Sequence, residues 1–166
     1  MTRAPVLALA VVLLLTPTTA CGPGVDLTKA LEVTDLLTGY YDDGVKDGKN
    51  HLVPSISFRL HNKETTKSIG PVQLSVSFWK AGEDGEWDSV VVQGISGKGL
   101  AAGASTDSIL VRGTVGYNLE GARADLFTHS KFKDVTAKLF ASQAGDIVPI
   151  GQFKLDHTII PHLSPR

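Results

Sequence analysis

Between Leu52 and Lys80 the chain alternates apolar and polar residues with a period of two, in two successive segments. In Leu52–Asn62, Ile56, Phe58 and Leu60 alternate with Ser55, Ser57 and Arg59. In Pro71–Lys80, Val72, Leu74, Val76 and Phe78 alternate with Gln73, Ser75, Ser77 and Trp79. Successive side chains of a strand point to opposite faces, so this period belongs to strands with one face on a core and one toward water. Both segments send aliphatic and Phe side chains into one core, and Trp79 falls on the other face. Pro54 belongs near a strand start or an edge, because it has no N–H to give to a central ladder.

The rest of the chain supplies more short strands of the same kind. Ala30–Leu37 is the first, ending in the turn-rich stretch 38–50 with its Asp42-Asp43-Gly44 and Asp47-Gly48 signals. Gly82–Glu86 reads as a hairpin turn whose return strand is Trp87–Gln93. Ser105–Arg112, Lys133–Ser142 and Val148–Leu155 follow, the last two joined by the turn Ala144-Gly145-Asp146. Asn118–Phe127 has room for a helical turn or two. Many short strands with turns between them, and no long amphipathic helix, predict an all-β fold. The specific expectation is an antiparallel immunoglobulin-like β-sandwich of about seven to eight strands, without the Cys-Trp-Cys hallmark of antibody domains.

The N-terminus has a different grammar. Arg3 precedes the ten-residue apolar run Val6–Leu15, and small residues follow up to Ala20, the layout of a secretory signal. Ten helical residues cover roughly 15 Å, about half of a bilayer's hydrocarbon core, too little for a permanent span. Directly after it stands Cys21, the one cysteine in the chain, so no internal disulfide is possible. Thr19-Ala20-Cys21 behind an apolar run resembles the lipobox of bacterial lipoproteins, with Thr18 where that pattern usually has an aliphatic residue. The resemblance implies that Cys21 is lipidated, becomes the new N-terminus and anchors the protein in a membrane; two or three acyl chains hold firmly where one binds marginally. An ordinary cleaved signal beside an incidental cysteine is the alternative.

The expected organisation is a signal peptide at 1–20, the lipidated cysteine and a short tether at 21–29, the β-sandwich domain at 30–160 and a frayed tail at 161–166. Of 166 residues, 146 remain after the signal, enough for one domain with a real core. Of 16 basic residues one, Arg3, leaves with the signal, and 15 against 17 acidic ones give no electrostatic footprint for nucleic acid. The Gly22–Lys29 tether reaches at most about 30 Å, so the domain sits close to its membrane.

A second resemblance rests on Phe58-Arg-Leu-His-Asn62, Ile69-Gly-Pro-Val-Gln-Leu-Ser-Val-Ser-Phe78 and Leu100-Ala-Ala-Gly103-Ala-Ser105. This order is similar to small bacterial FxLYD-type domains and to the water-stress β-sandwiches of the late-embryogenesis-abundant class, over about residues 30–112. It implies an interaction or structural module of the bacterial envelope.

Motifs for chemistry are sparse. His51, His61, His129, His157 and His162 have no metal-ligand spacing, and Asp42, Asp43, Asp47 and Asn50 lack the order of a calcium loop. The glycines of 94–103 match neither a dinucleotide fingerprint nor a P-loop. No G-x-S-x-G elbow is present, and the adjacent Glu83 and Asp84 are not held apart as glycosidase carboxylates are. No catalytic residue, metal site or cofactor is expected. The candidate binding face is a set of exposed aromatics, Tyr40, Tyr41, Trp79 and Trp87, since Tyr and Trp dominate interface hot spots. These observations predict a lipid-anchored protein on the extracytoplasmic side of the envelope, non-catalytic, with a protein partner. A small-ligand carrier or accessory subunit of an envelope transport or enzyme complex is the alternative, and an unrecognised hydrolase assembled from distant residues a third.

Overall fold

The computed structural model describes residues 25–160; the expected signal peptide at 1–20, Cys21, His162 and the expected tail at 161–166 lie outside the described residues. A single helical turn, α1 (Leu27–Ala30), is capped by the Asp26 carboxylate and leads directly into the first strand. Nine strands follow: β1 (Leu31–Lys46), β2 (Lys49–Asn62), β3 (Val72–Lys80), β4 (Asp88–Ile95), β5 (Ile109–Arg112), β6 (Tyr117–Leu119), β7 (Val135–Gln143), β8 (Asp146–Lys154) and β9 (Ile159–Ile160). A 3₁₀ helix, Arg123–Thr128, lies between β6 and β7. One sheet runs β5-β2-β1-β9 with β6 also on β2, and the other runs β4-β3-β7-β8. The fold is an all-β sandwich, as the alternation predicts.

The core follows the period of two. Ile56, Phe58 and Leu60 of β2 and Val72, Leu74, Val76 and Phe78 of β3 are wholly buried between the sheets, with Ala137, Leu139 and Ala141 of β7 beside them. Trp79 lies on the outer face of the second sheet, as its parity requires.

Three expectations are corrected. The first strand does not stop at Leu37: β1 continues to Lys46, paired with β2 along its length, and Ala30 belongs to α1. The local turn signals are overridden because two bulges absorb them. Three residues of β1 answer two of β2 after Thr34 and again after Asp42, with Asp35 and Gly44 at positive φ. The chain reverses only at Asp47-Gly48, where φ of 51° and 75° gives the two-residue turn that matches strand twist.

Pro54 is neither at a strand start nor at an edge; it sits inside β2, the centre of its sheet. Opposite it, Tyr40 donates its N–H away from β2, to Thr158 C=O at 2.9 Å, so Pro54 turns its own backbone toward β5 and β6. Those strands leave a gap there, β5 ending with Arg112 opposite Ser55 and β6 starting with Tyr117 opposite Leu52. The missing donor falls in the gap, and Gly113 N–H still reaches Pro54 C=O at 2.8 Å.

The third correction is at the C-terminal side, where β9 adds a strand parallel to β1, Tyr40 opposite Ile159 and Tyr41 opposite Ile160. Gly39 permits this approach, since a Cβ there would lie 2.6 Å from Thr158 C=O.

The β7–β8 hairpin turns at Ala144-Gly145, with φ of 52° and 94°. Alanine pays for its Cβ in this left-handed region, whereas Asn is at home there. Ala144→Asn is expected to stabilise the fold by about 0.5–1 kcal/mol, read as a raised urea midpoint at unchanged m-value.

Both ends of the sandwich are plugged. At one end Asn62, fully buried, closes β2 over the loops 63–71 and 96–105. The N-terminal turn lies at the same end, Lys63 N–H bonding Ala30 C=O at 2.8 Å. At the other end, where β3 finishes and β7 begins, an aromatic cluster fills the space between the sheets.

Candidate functional site: the aromatic end

This end is assembled from six segments. Tyr40 comes from the inner face of β1, Tyr117 from β6, Phe127 from the 3₁₀ helix, Phe132 from the loop after it, Trp87 from the approach to β4, and His157 from the chain beyond β8. The 3₁₀ helix is held at its start by the Asp125 carboxylate, which accepts Ala122 N–H at 3.2 Å. Its Arg123 pairs with Asp42 of β1, fastening the segment to the sheet.

The rings pack edge on face and tilted, as aromatic quadrupoles prefer. Tyr40 stands 5.6 Å from Phe127, 5.7 Å from Phe132 and 6.1 Å from Tyr117, centroid to centroid. Trp87 lies 5.1 Å from Tyr117. His157 stacks parallel on Phe127 at 5.5 Å and meets the edge of Phe132 at 5.0 Å. Tyr40 is the floor, with no exposed surface; Trp87, Tyr117, Phe127 and Phe132 are half-buried, and His157 is exposed.

Charges ring this apolar centre. The Lys80 ammonium sits 4.0 Å above the Trp87 ring and 5.1 Å from that of Tyr117. Lys133 Nζ pairs with Glu83 at 2.8 Å. Asp134 takes Lys154 at 2.7 Å on one oxygen and His157 Nε2 at 2.7 Å on the other. These two partners, Lys154 first, hold the Asp134 carboxyl below the ordinary range for aspartate.

The Tyr117 hydroxyl bonds Lys133 C=O at 3.2 Å, whereas the Tyr40 hydroxyl, sealed in the interior, has no hydrogen-bond partner. Burial pushes the Tyr40 phenol far above its usual value, Tyr117 and Asp134 adding to the effect. Desolvation raises Tyr117 in the same direction.

The four aromatics expected to form one exposed face are dispersed. Tyr40 is inside, and Tyr41, on the opposite face of β1, is 8% exposed with the Arg112 guanidinium 4.6 Å from its ring centre. Neither tyrosine is exposed: strand pairing through 38–46 turns one into the core and places the other beside Arg112. Trp79 is half-buried on the outer face of the second sheet, its indole N–H on Ser77 Oγ at 2.9 Å and Lys138 Nζ 3.8 Å over the ring. Trp87 alone of the four reaches the rim of the aromatic end.

Tyr117, Phe127, Phe132, Lys80 and His157 escaped the sequence reading. The available signal was a concentration of aromatics in 113–134, the stretch without strand periodicity. The residues weighed for calcium are separated: Asp42 faces Arg123, Asp43 pairs with Lys46 at 2.7 Å, and Asn50 donates to Gly121 C=O at 2.8 Å. Among the described residues no three His, Cys, Asp or Glu side chains gather to hold a metal ion.

Elsewhere the surface has shallow clefts. One of about 340 Å³ is lined by Val25, Leu27, Gln143 and Ile147 beside the N-terminal turn. Another of about 360 Å³ lies between the 94–100 turn and 105–109. The aromatic end thus combines a desolvated aromatic centre with a ring of paired charges. No protein-family model matches the chain, and no curated protein matches it significantly.

Proposed function

We propose that the protein is a lipid-anchored module of the bacterial envelope that binds a protein partner through its aromatic end, without catalysis. The observation that carries this reading is the position of that end relative to the chain start. Val25 and α1 lie at the Asn62 end, and along β2 from Asn62 back to Leu52, opposite Tyr117, the span is roughly 33 Å at about 3.3 Å per residue. Val25 is four positions beyond Cys21, a reach of about 14 Å at most. A lipid on Cys21 therefore holds the Asn62 end at the membrane and presents Trp87, Tyr117 and Phe132 outward, where a partner meets them. We also read the sandwich as immunoglobulin-like, on the chain's passages between sheets from β2 to β3, β4 to β5, β6 to β7 and β8 to β9 and on the parallel pairing of its first and last strands.

The test is cross-linking in native cells. Trp87→Ala is expected to weaken partner capture on the order of 30-fold or more, as for a central hot spot, while Trp79→Ala leaves it intact. Cys21→Ser is expected to move the protein from the membrane to the soluble fraction. Equal capture by the folded Trp87→Ala protein would remove the aromatic end from the interface.

The carrier alternative is favoured by one observation, the unpartnered Tyr40 hydroxyl, which a small polar ligand would satisfy by parting the rings that seal it. A ligand-dependent rise in melting temperature, lost in Tyr40→Phe, is its signature.

A further inference from the structure

The sheet edges are treated unequally. On the β8 edge Pro149 sits opposite Phe140 and removes one outward donor, and β8 is further flanked by α1 and β1. β1 is covered by β9 over Tyr40 and Tyr41, while β5 and β6 are four and three residues long. β4 is guarded only at its start, where β5 and Thr114-Val115 lie against Asp88; among the described residues its eight-residue length otherwise pairs with β3 on one side only.

The register shows what that edge offers. Phe78 C=O accepts Trp87 N–H at 2.8 Å, so its backbone groups turn toward β4. Alternation then makes Val76–Val90 and Leu74–Val92 the hydrogen-bonded pairs and turns the N–H and C=O groups of Ser89, Val91 and Gln93 outward. The Ser89 N–H is taken by its neighbour's carboxylate, Asp88 Oδ1, at 2.9 Å. Val91 is 57% exposed, and no charged residue lies between Asp88 and Lys98. Asp88 is itself engaged, accepting from Thr114 and Val115.

We propose that this edge pairs with a second copy of the chain, β4 against β4 in antiparallel register about a two-fold axis at Val91. The segment Ser89-Val-Val-Val-Gln93 is complementary to itself in that register. Val91 exchanges N–H and C=O with its symmetry mate, Ser89 C=O accepts Gln93 N–H, and the exposed Val91 side chains cover each other. The same register sets the end of β4 that follows Glu83, Asp84 and Glu86 beside the end of the other copy that leads to Lys98, opposite charges meeting at both rims. The two second sheets become one continuous eight-stranded sheet. This pairing goes beyond the binding role proposed above and does not depend on it.

Disulfide cross-linking of the full chain in cells tests the register. Directly opposed residues of a hydrogen-bonded pair bring their Cα atoms to about 5.5 Å, within disulfide reach, whereas residues four apart along the strand are about 13 Å from each other. Val91→Cys is expected to double its apparent mass on a non-reducing gel after oxidation. Ser89→Cys or Gln93→Cys alone should match the wild type, whose Cys21 sets the background, and the double variant Ser89→Cys with Gln93→Cys should dimerise. Adding Val91→Lys to the double variant should abolish its dimer while leaving the circular-dichroism melt unchanged. Cross-linking at none of these positions, at all three single positions alike, or to a chain of different mass would overturn the proposal.

Discussion

Asn62→Leu is expected to lower the folding stability by about 3 kcal/mol, with a fall in Tm on the order of 10 °C. The side chain has no exposed surface and reaches three carbonyl oxygens through its amide nitrogen, Lys67 at 3.0 Å, Leu100 at 3.1 Å and Ala101 at 3.0 Å. Its oxygen accepts Glu64 N–H at 3.0 Å. Leucine has the same number of side-chain heavy atoms, so the loss is chiefly polar: Leu100 and Ala101 keep backbone donors, but Lys67 C=O and Glu64 N–H lose the partners found here. Four hydrogen bonds go, each worth about 0.5–1.5 kcal/mol net, less at exposed Lys67 and half-buried Glu64 and more where Leu100 is buried. The backbone of Asn62 binds Ala104 C=O and Gly103 N–H at the same point, so two loops loosen together. Asn62→Asp is expected to be as damaging, since a carboxylate facing three carbonyls has nothing to donate. Urea unfolding of both variants checks this, and a loss under about 1 kcal/mol would show that the loops hold without the amide.

Tyr40 yields an effect of two signs. Tyr40→Ala removes a fully buried ring against which three others pack and is expected to cost about 3–5 kcal/mol. Tyr40→Phe keeps the ring and deletes a hydroxyl without a partner, so stability is expected to rise by about 1 kcal/mol. A fall of that size instead would mean that the hydroxyl is paired in solution, and would move weight from the partner-binding reading to the ligand carrier. Thermal melts of the three proteins, with and without candidate ligands, separate these outcomes.

The contrast between Asn62 and Tyr40 shows what could be read ahead. Asn62 stands at the end of the clearest alternating strand, and Leu100–Ser105 carries a turn pattern; their joining across 38 residues was not legible. Tyr40 and Tyr41 were legible as large aromatics, but the signals around them, Gly39 and Asp42-Asp43-Gly44, spoke for a turn. Local preference lost there to a ladder of backbone bonds along β2 and to two bulges that absorb the awkward residues. For Trp79 parity alone sufficed, because its neighbours in β3 fix the face.

By itself the sequence determined the layered all-β architecture, the inward faces of β2, β3 and β7, and the turns at Asp47-Gly48 and Ala144-Gly145. Each rests on interactions between residues a few positions apart: period two sorts side chains by face, and two-residue turns require particular backbone angles. Only the tertiary structure decided that six distant segments pool their rings at one end, that Pro54 is harmless in a central strand, and that β4 runs along a sheet edge. Those outcomes depend on which strands become neighbours and on which side of each strand its hydrogen bonds point. Pairings across long stretches of chain set both, and no local pattern encodes them.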